Sequence, residues 1–111
     1  MKEYLFTYGM FRDAARPLLG DYINCGRSHV RGKLYRVNEF YPGYVEGNVG
    51  VVSGDVYLID PSIFPELDEF EGDEYRRKKL LTTNDLECWV YEYQKDVSNF
   101  KEIKSGDWIL R

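Results

Sequence analysis

Five carboxylates crowd the run Leu67-Asp-Glu-Phe-Glu-Gly-Asp-Glu-Tyr-Arg-Arg77, and the one at Glu71 sits where a helix should be ending. Acids are favoured at helix starts, where the dipole is positive. At the negative end, the dipole and the neighbouring like charges both disfavour ionisation, so the pattern predicts a raised pKa for Glu71. A carboxyl that titrates close to the working pH is suited to general acid–base catalysis. The same pattern also fits a solvated acidic helix end answered by Arg76 to Lys79, because structural charge networks perturb pKa values too.

A second component lies near the start of the chain, in the turn Tyr8-Gly-Met-Phe-Arg12. Gly9 lets the backbone turn with no side chain in the way, so that successive amide N–H groups can point into one space and hold a carboxylate or a developing oxyanion. Strand-then-glycine is also an ordinary turn signal. Tyr75, Arg36 and Arg76 have suitable chemistry for a pocket, arginine being able to fork onto a carboxylate, although Tyr75 also fits strand packing and Arg76 a pair with Asp73 or Glu74.

These groups must be positioned by short elements. Asp60 caps a predicted helix with Pro61 at its first position; Ile63, Phe64, Leu67 and Phe70 form its apolar stripe, and Gly72 stops it. Tyr4 to Tyr8 reads as a first strand, and Phe11 to Leu19 as a turn or short helix before Gly20. Val30 to Val37 reads as a second strand, Phe40 to Tyr44 as a turn built on Pro42 and Gly43, and Val49 to Ile59 as an alternating strand. Tyr75 to Thr82 and Glu87 to Tyr93 flank Thr83-Asn-Asp-Leu86 as a hairpin, with Trp89, Tyr91 and Tyr93 on one face. That aromatic face is expected in the core rather than at a dimer contact. The tail from Asp96 to Arg111 is expected to fold back through Gly106-Asp-Trp-Ile-Leu110. Short strands with interior glycines indicate an α+β class with a strongly curved sheet or small barrel.

Composition bounds the setting. The 111 residues suit a single domain, 1–111, with 16% aromatic residues and ten tyrosines arguing for a packed core. A formal charge of -4 without a basic block argues against nucleic-acid binding, despite Arg76-Arg-Lys-Lys79. No run suits a membrane span or a signal peptide, which gives a cytoplasmic expectation. Cys25 and Cys88 have no metal or redox spacing and read as reduced thiols, and His29, the one histidine, reads as structural or surface.

Taken together, the segments resemble the γ-glutamylcyclotransferase-like proteins, of the γ-glutamylamine cyclotransferase type, over nearly the whole chain. The landmarks are Leu5-Phe-Thr-Tyr-Gly-Met-Phe11, similar to the family's aromatic-Tyr-Gly-Ser/Thr-Leu signature; Tyr41-Pro-Gly43; Gly54-Asp-Val-Tyr57; Leu67-Asp-Glu-Phe-Glu71 followed by Tyr75-Arg76; Val90-Tyr-Glu-Tyr93; and Ser105-Gly-Asp-Trp108. The resemblance implies a small closed or nearly closed mixed β-barrel with one or two short helices packed outside. It also implies a pocket at the barrel mouth, with Glu71 as the catalytic acid and base and Tyr8, Gly9, Met10 and Phe11 binding the γ-glutamyl group; Tyr75 is added on its chemistry.

The implied reaction is a cyclising acyl transfer. The α-amine of a γ-glutamyl compound attacks its own γ-carbonyl, releasing 5-oxoproline and a free amine. It needs no cofactor and no metal, in keeping with a sequence that offers no Ser-His-Asp or Cys-His arrangement. Met10 and Phe11 depart from the signature's hydroxyl residue and leucine, which bears on specificity. The implied partner is a small γ-glutamyl molecule, on a monomer or homodimer. The alternative is a non-catalytic module on the same fold that binds a small ligand or a protein.

Overall fold

The computed structural model describes residues 1–9 and 16–111. The first strand, β1 (Glu3–Thr7), alternates so that Phe6 and Leu5 fall into different core clusters on its two faces. The next two strands, β2 (Tyr22–Arg36) and β3 (Pro42–Ile59), form one long antiparallel hairpin running from Arg36↔Pro42 at the turn to Tyr22↔Ile59 at its open end. Its register shifts twice, between Asn24 and Arg27 and between Arg31 and Gly32. Such irregularities bend a strand and increase its twist, so this hairpin curls rather than lying flat.

β1 lies against the far half of β3, from Glu3↔Ile59 to Thr7↔Asp55. Gly54 permits this approach, because a Cβ there would stand 2.2 Å from the Thr7 carbonyl oxygen and 2.6 Å from the Phe6 ring. On its other side β1 runs parallel to β5 (Glu87–Tyr93) through Leu5↔Trp89. β5 in turn pairs antiparallel with β4 (Tyr75–Leu81), and the two-residue β6 (Lys101–Glu102) extends the other edge beside β2. Among the described residues the sheet order is β4-β5-β1-β3-β2-β6, a mixed six-stranded half-barrel. Single polar contacts link its parts beyond the ladders: the Thr83 amide donates to the His29 carbonyl at 2.8 Å, and the Glu46 amide to Glu92 Oε2 at 2.8 Å.

The helix forms as its caps dictate. Asp60 accepts a hydrogen bond from the Ser62 amide at 3.0 Å, starting a 3-10 turn over Pro61–Ile63 that runs into α1 (Phe64–Glu71). Gly72, at φ 80°, ends it while its N–H still donates to the Asp68 carbonyl. Phe64 and Leu67 go into the cluster with Leu5, Leu19, Tyr57, Ile59 and Tyr91, while Phe6, Val30, Tyr44, Val56, Cys88 and Val90 fill the other. Each such large apolar side chain contributes roughly 1.5–3 kcal/mol on full burial.

The expected first strand, hairpin, helix and inward-folding tail are all present, and Tyr91 and Tyr93 are buried with Trp89 half-buried beside them. Two expectations are corrected. β2 begins at Tyr22 rather than Val30, because its polar first half is held by pairing to β3 and not by burial. Pro42 and Gly43 open β3 rather than make a turn; proline is tolerated as a strand's first residue, and the bend lies just before it. Cys25 is exposed and Cys88 buried, and neither is bridged.

Candidate active site at the end of the first strand

β1 is short, so beyond Thr7 the strands on either side of it, β5 and β3, lose the partner between them. The Tyr8 side chain takes that place. Its hydroxyl donates to the Tyr91 carbonyl on β5 and accepts from the Tyr44 amide on β3 at 3.2 Å. Buried and bonded on both sides, the Tyr8 hydroxyl has its proton pinned, and burial, with Tyr75 and Glu71 close by, pushes its pKa well above the ordinary tyrosine value.

A cavity of about 350 Å³ opens beside this plug. Phe6 and Thr7 of β1 with Tyr8 and Gly9 just beyond it line one side, Tyr41 and Pro42 at the entry to β3 a second, and Glu71 and Tyr75 at the end of α1 and the start of β4 a third. Tyr75 ties the second and third together, its hydroxyl donating to the Pro42 carbonyl at 2.6 Å. Gly9 packs closely on Pro42: a Cβ would meet its Cδ at 3.0 Å, so a side chain here would push against that ring, while the backbone does not need the left-handed region.

Glu71, the last residue of α1, is partly buried in this wall, and its pKa is pushed up to about 7. The direction matches the expectation but the cause does not. Burial produces the shift, in place of the helix end and acidic neighbours inferred from the sequence. Among the described residues Glu71 has no ion pair or hydrogen bond to its carboxylate. Its negative charge is felt by Tyr8, Tyr75 and Tyr91, each of which it makes harder to ionise. A carboxyl titrating near neutrality, set among aromatic rings, can take a proton from one ligand atom and return it to another.

Of the residues singled out from the sequence, Tyr8, Gly9, Glu71 and Tyr75 line this one cavity. Met10 and Phe11 lie outside the described residues. Arg36 is elsewhere, stacked over the Trp108 ring at 5.7 Å. Arg76 is exposed and borders a neighbouring surface hollow; of the basic run, Arg77 answers the acidic helix end as expected by pairing with Asp68, whereas Lys78 pairs with Glu46 and Glu92 and Lys79 with Glu3 and Glu87. Sequence reasoning missed Tyr41, Tyr91, Phe40, Phe70 and Glu74, which also line the cavity. Phe70 was expected in the helix's apolar stripe with Phe64 and Leu67; those two are buried, whereas Phe70 is 46% exposed and lines the cavity.

The family described as "Gamma-glutamyl cyclotransferase, AIG2-like" matches residues 5–110. The chain belongs to this family. Within it, the γ-glutamylcyclotransferase family protein YtfP of Escherichia coli strain K12 is 38% identical over 117 residues, 96% of each chain. The solution structure of ytfP from Escherichia coli superposes with a TM-score of 0.75 at 35% identity, covering 96% of both chains. An AIG2-like protein from Mus musculus, at 20% identity, shares the fold with a TM-score of 0.75 over 89% of this chain and 82% of its own. The γ-glutamylcyclotransferase, AIG2-like match begins at Leu5 and takes in β1, the turn at Gly9, α1 and the hairpin, so every described residue that lines the cavity lies inside it.

Proposed function

We propose that this chain is a γ-glutamylcyclotransferase acting on a γ-glutamyl amine or related γ-glutamyl compound, with Glu71 as general acid and base. The observation that carries the reading is the placement of a half-buried carboxyl of pKa about 7, without a counter-ion among the described residues, in the wall of a 350 Å³ cavity. Family membership supports the reaction class, and the cavity supports the assignment of roles.

In the proposed reaction the γ-glutamyl chain lies folded in the cavity, its α-amine against its own γ-carbonyl. Holding the two groups together converts ring closure into a positioned unimolecular step. Glu71 takes a proton from the attacking amine as the new C–N bond forms, and the Gly9 amide supports the charge growing on the carbonyl oxygen. As the tetrahedral centre collapses, the old C–N bond breaks and Glu71 returns the proton to the leaving amine. The products are 5-oxoproline and a free amine, and Glu71 ends in its starting state. A single group serving both steps works best with a pKa near the working pH. Tyr8 contributes shape rather than a proton, because its hydroxyl is occupied by Tyr91 and Tyr44.

The test is release of 5-oxoproline from a panel of γ-glutamyl amines and γ-glutamyl dipeptides by wild type and Glu71→Gln. Turnover that falls about a hundredfold to ten-thousandfold in the variant is expected. Silence of the wild type across the panel, with a compound that raises the melting temperature of both proteins equally, would move the assignment to a non-catalytic binding module.

A further inference from the structure

The entry to β3 has a strand on one side only. Pro42, Gly43 and Tyr44 pair with Arg36, Tyr35 and Leu34 of β2, whereas β1, which flanks β3 further on, reaches only as far as Asp55. On the open edge three backbone groups are met by side chains instead of a strand. The Tyr75 hydroxyl donates to the Pro42 carbonyl at 2.6 Å, the Tyr8 hydroxyl accepts from the Tyr44 amide at 3.2 Å, and Glu92 Oε2 accepts from the Glu46 amide at 2.8 Å. Between the two tyrosine contacts Gly43 lies against β5, where a Cβ would stand 2.8 Å from both Cβ and Cγ of Tyr93. Tyr8 is anchored on β5 by donating to the Tyr91 carbonyl, and Tyr75 is the first residue of β4. Tyr8, Tyr75 and Pro42 all line the cavity. The two hydroxyls therefore join the β4–β5 part of the sheet to the entry of β3 across the cavity end of the half-barrel.

We infer that Tyr8 and Tyr75 are positioning residues whose hydroxyls act as one clasp, closing the half-barrel at its cavity end and keeping water from the carboxyl of Glu71. This rests on the cyclotransferase reading above and names what holds that site in its working shape. Both hydroxyl protons are committed to backbone carbonyls, so neither tyrosine has a proton to donate to a ligand. The two bonds hold the same three-residue stretch, and each keeps in place the backbone group that the other needs. Losing either one frees the entry to β3 and weakens the remaining bond. Tyr8, Tyr75 and Tyr91 feel the charge of Glu71, and Tyr41 and Glu74 also line the cavity; none of these is a cation. Water admitted by an open clasp is then what would ease the ionisation of Glu71.

The test compares Tyr8→Phe, Tyr75→Phe and the double variant, which keep both rings and remove only the hydroxyls, with Thr82→Val as a control. Thr82 is buried at the β4–β5 turn, away from the cavity, and its hydroxyl accepts from the Leu86 amide at 3.0 Å. Each tyrosine variant is expected to lower kcat for 5-oxoproline release by about tenfold to a hundredfold, with KM changed by less than about threefold. The double variant should fall little below the worse single one, since a clasp already open has nothing further to release. Followed by carboxyl NMR, the Glu71 titration should move down by about half a pH unit or more in all three and stay in place in Thr82→Val. Tyr75→Phe leaves the Tyr44 amide its acceptor, yet should speed the hydrogen exchange of that amide by about tenfold. Losses that multiply in the double variant, a change confined to KM, or a Glu71 titration and Tyr44 exchange unmoved by Tyr75→Phe would overturn the clasp while leaving the cyclotransferase reading in place. Should Tyr8→Phe not fold, Tyr75→Phe, at a half-buried position, decides by the same readouts. If wild type cleaves no γ-glutamyl compound, the cyclotransferase reading falls. A lowered Glu71 titration with faster Tyr44 exchange in Tyr75→Phe would still uphold the clasp, and without them both fall.

Discussion

Asp68 and Glu71 lie one turn apart on the same short helix, and their surroundings drive them in opposite directions. Asp68 accepts both arms of Arg77, at 2.9 and 3.1 Å, and the Tyr91 hydroxyl at 2.7 Å, so its pKa is held below the ordinary aspartate value, chiefly by the Arg77 bond. Arg77 is itself stacked on Phe64 at 4.0 Å and Trp89 at 4.7 Å. Glu71 faces the cavity without such donors among the described residues, and burial alone lifts it to about 7. The Asp68 fork pins the helix end to the sheet, and the helix end presents Glu71. Ionised acids that hold structure and a neutralisable acid fit for chemistry thus stand within one turn, separated by what each side chain reaches.

The largest effect that would break this contrast is on rate. Glu71→Gln is expected to lower 5-oxoproline release by about a hundredfold to ten-thousandfold, whereas Asp68→Asn, which loses charge but not shape, should cost far less. Equal losses in the two variants would make both carboxylates parts of one structural unit. Wild-type kcat/KM should also rise with pH through a limb near 7, since Glu71 must be ionised to accept the amine proton; a limb near 4.5 would remove burial as the source of its reactivity.

Stability should show the next effect, with opposite signs at the two positions. The folded protein holds the Glu71 proton above pH 4.5, where the unfolded chain has released it, so wild type loses stability as pH rises from 4.5 through about 7. Glu71→Gln removes that loss: relative to wild type it should gain at most about 3 kcal/mol at pH 8 and little at pH 4, read from denaturant midpoints. Asp68 has a depressed pKa, so its contribution is present above the unfolded value and fades as pH falls through the folded one. Because its side chain is 46% exposed, Asp68→Asn should cost only about 1 kcal/mol at pH 7, and the cost should shrink toward pH 2.

Much of this frame was legible in local sequence. Asp60, Pro61 and Gly72 set the helix limits, the alternation of Glu87 to Tyr93 gave the hairpin, and the Tyr8-Gly9 turn and Glu71 met in one cavity as the family resemblance implied. What was hidden depends on pairing across the chain. The polar half of β2 carries no period of its own, Phe70 shares the helix's apolar stripe yet lies exposed at the cavity, and Arg77 reaches back nine residues to Asp68 in preference to the acids beside it. The reason for the raised pKa belongs to the same group, since a sequence shows which acids are adjacent and not how much solvent a side chain retains.

That last distinction gives the smallest effect and the sharpest test. Were the crowding of acids responsible for Glu71, removing the charges of Glu69 and Asp73 would lower its pKa toward the ordinary glutamate value. Both are exposed, where water and salt screen their influence, while burial at the cavity wall is unchanged by their loss. Glu69→Gln with Asp73→Asn should therefore move the Glu71 titration, followed by carboxyl NMR, by less than about half a pH unit. Filling the cavity mouth does the reverse: a bulkier rim that excludes more water should drive the same titration upward. A large downward shift in the double variant would restore the acidic cluster as the cause and reduce the contrast between Asp68 and Glu71 to one of neighbours rather than of solvent.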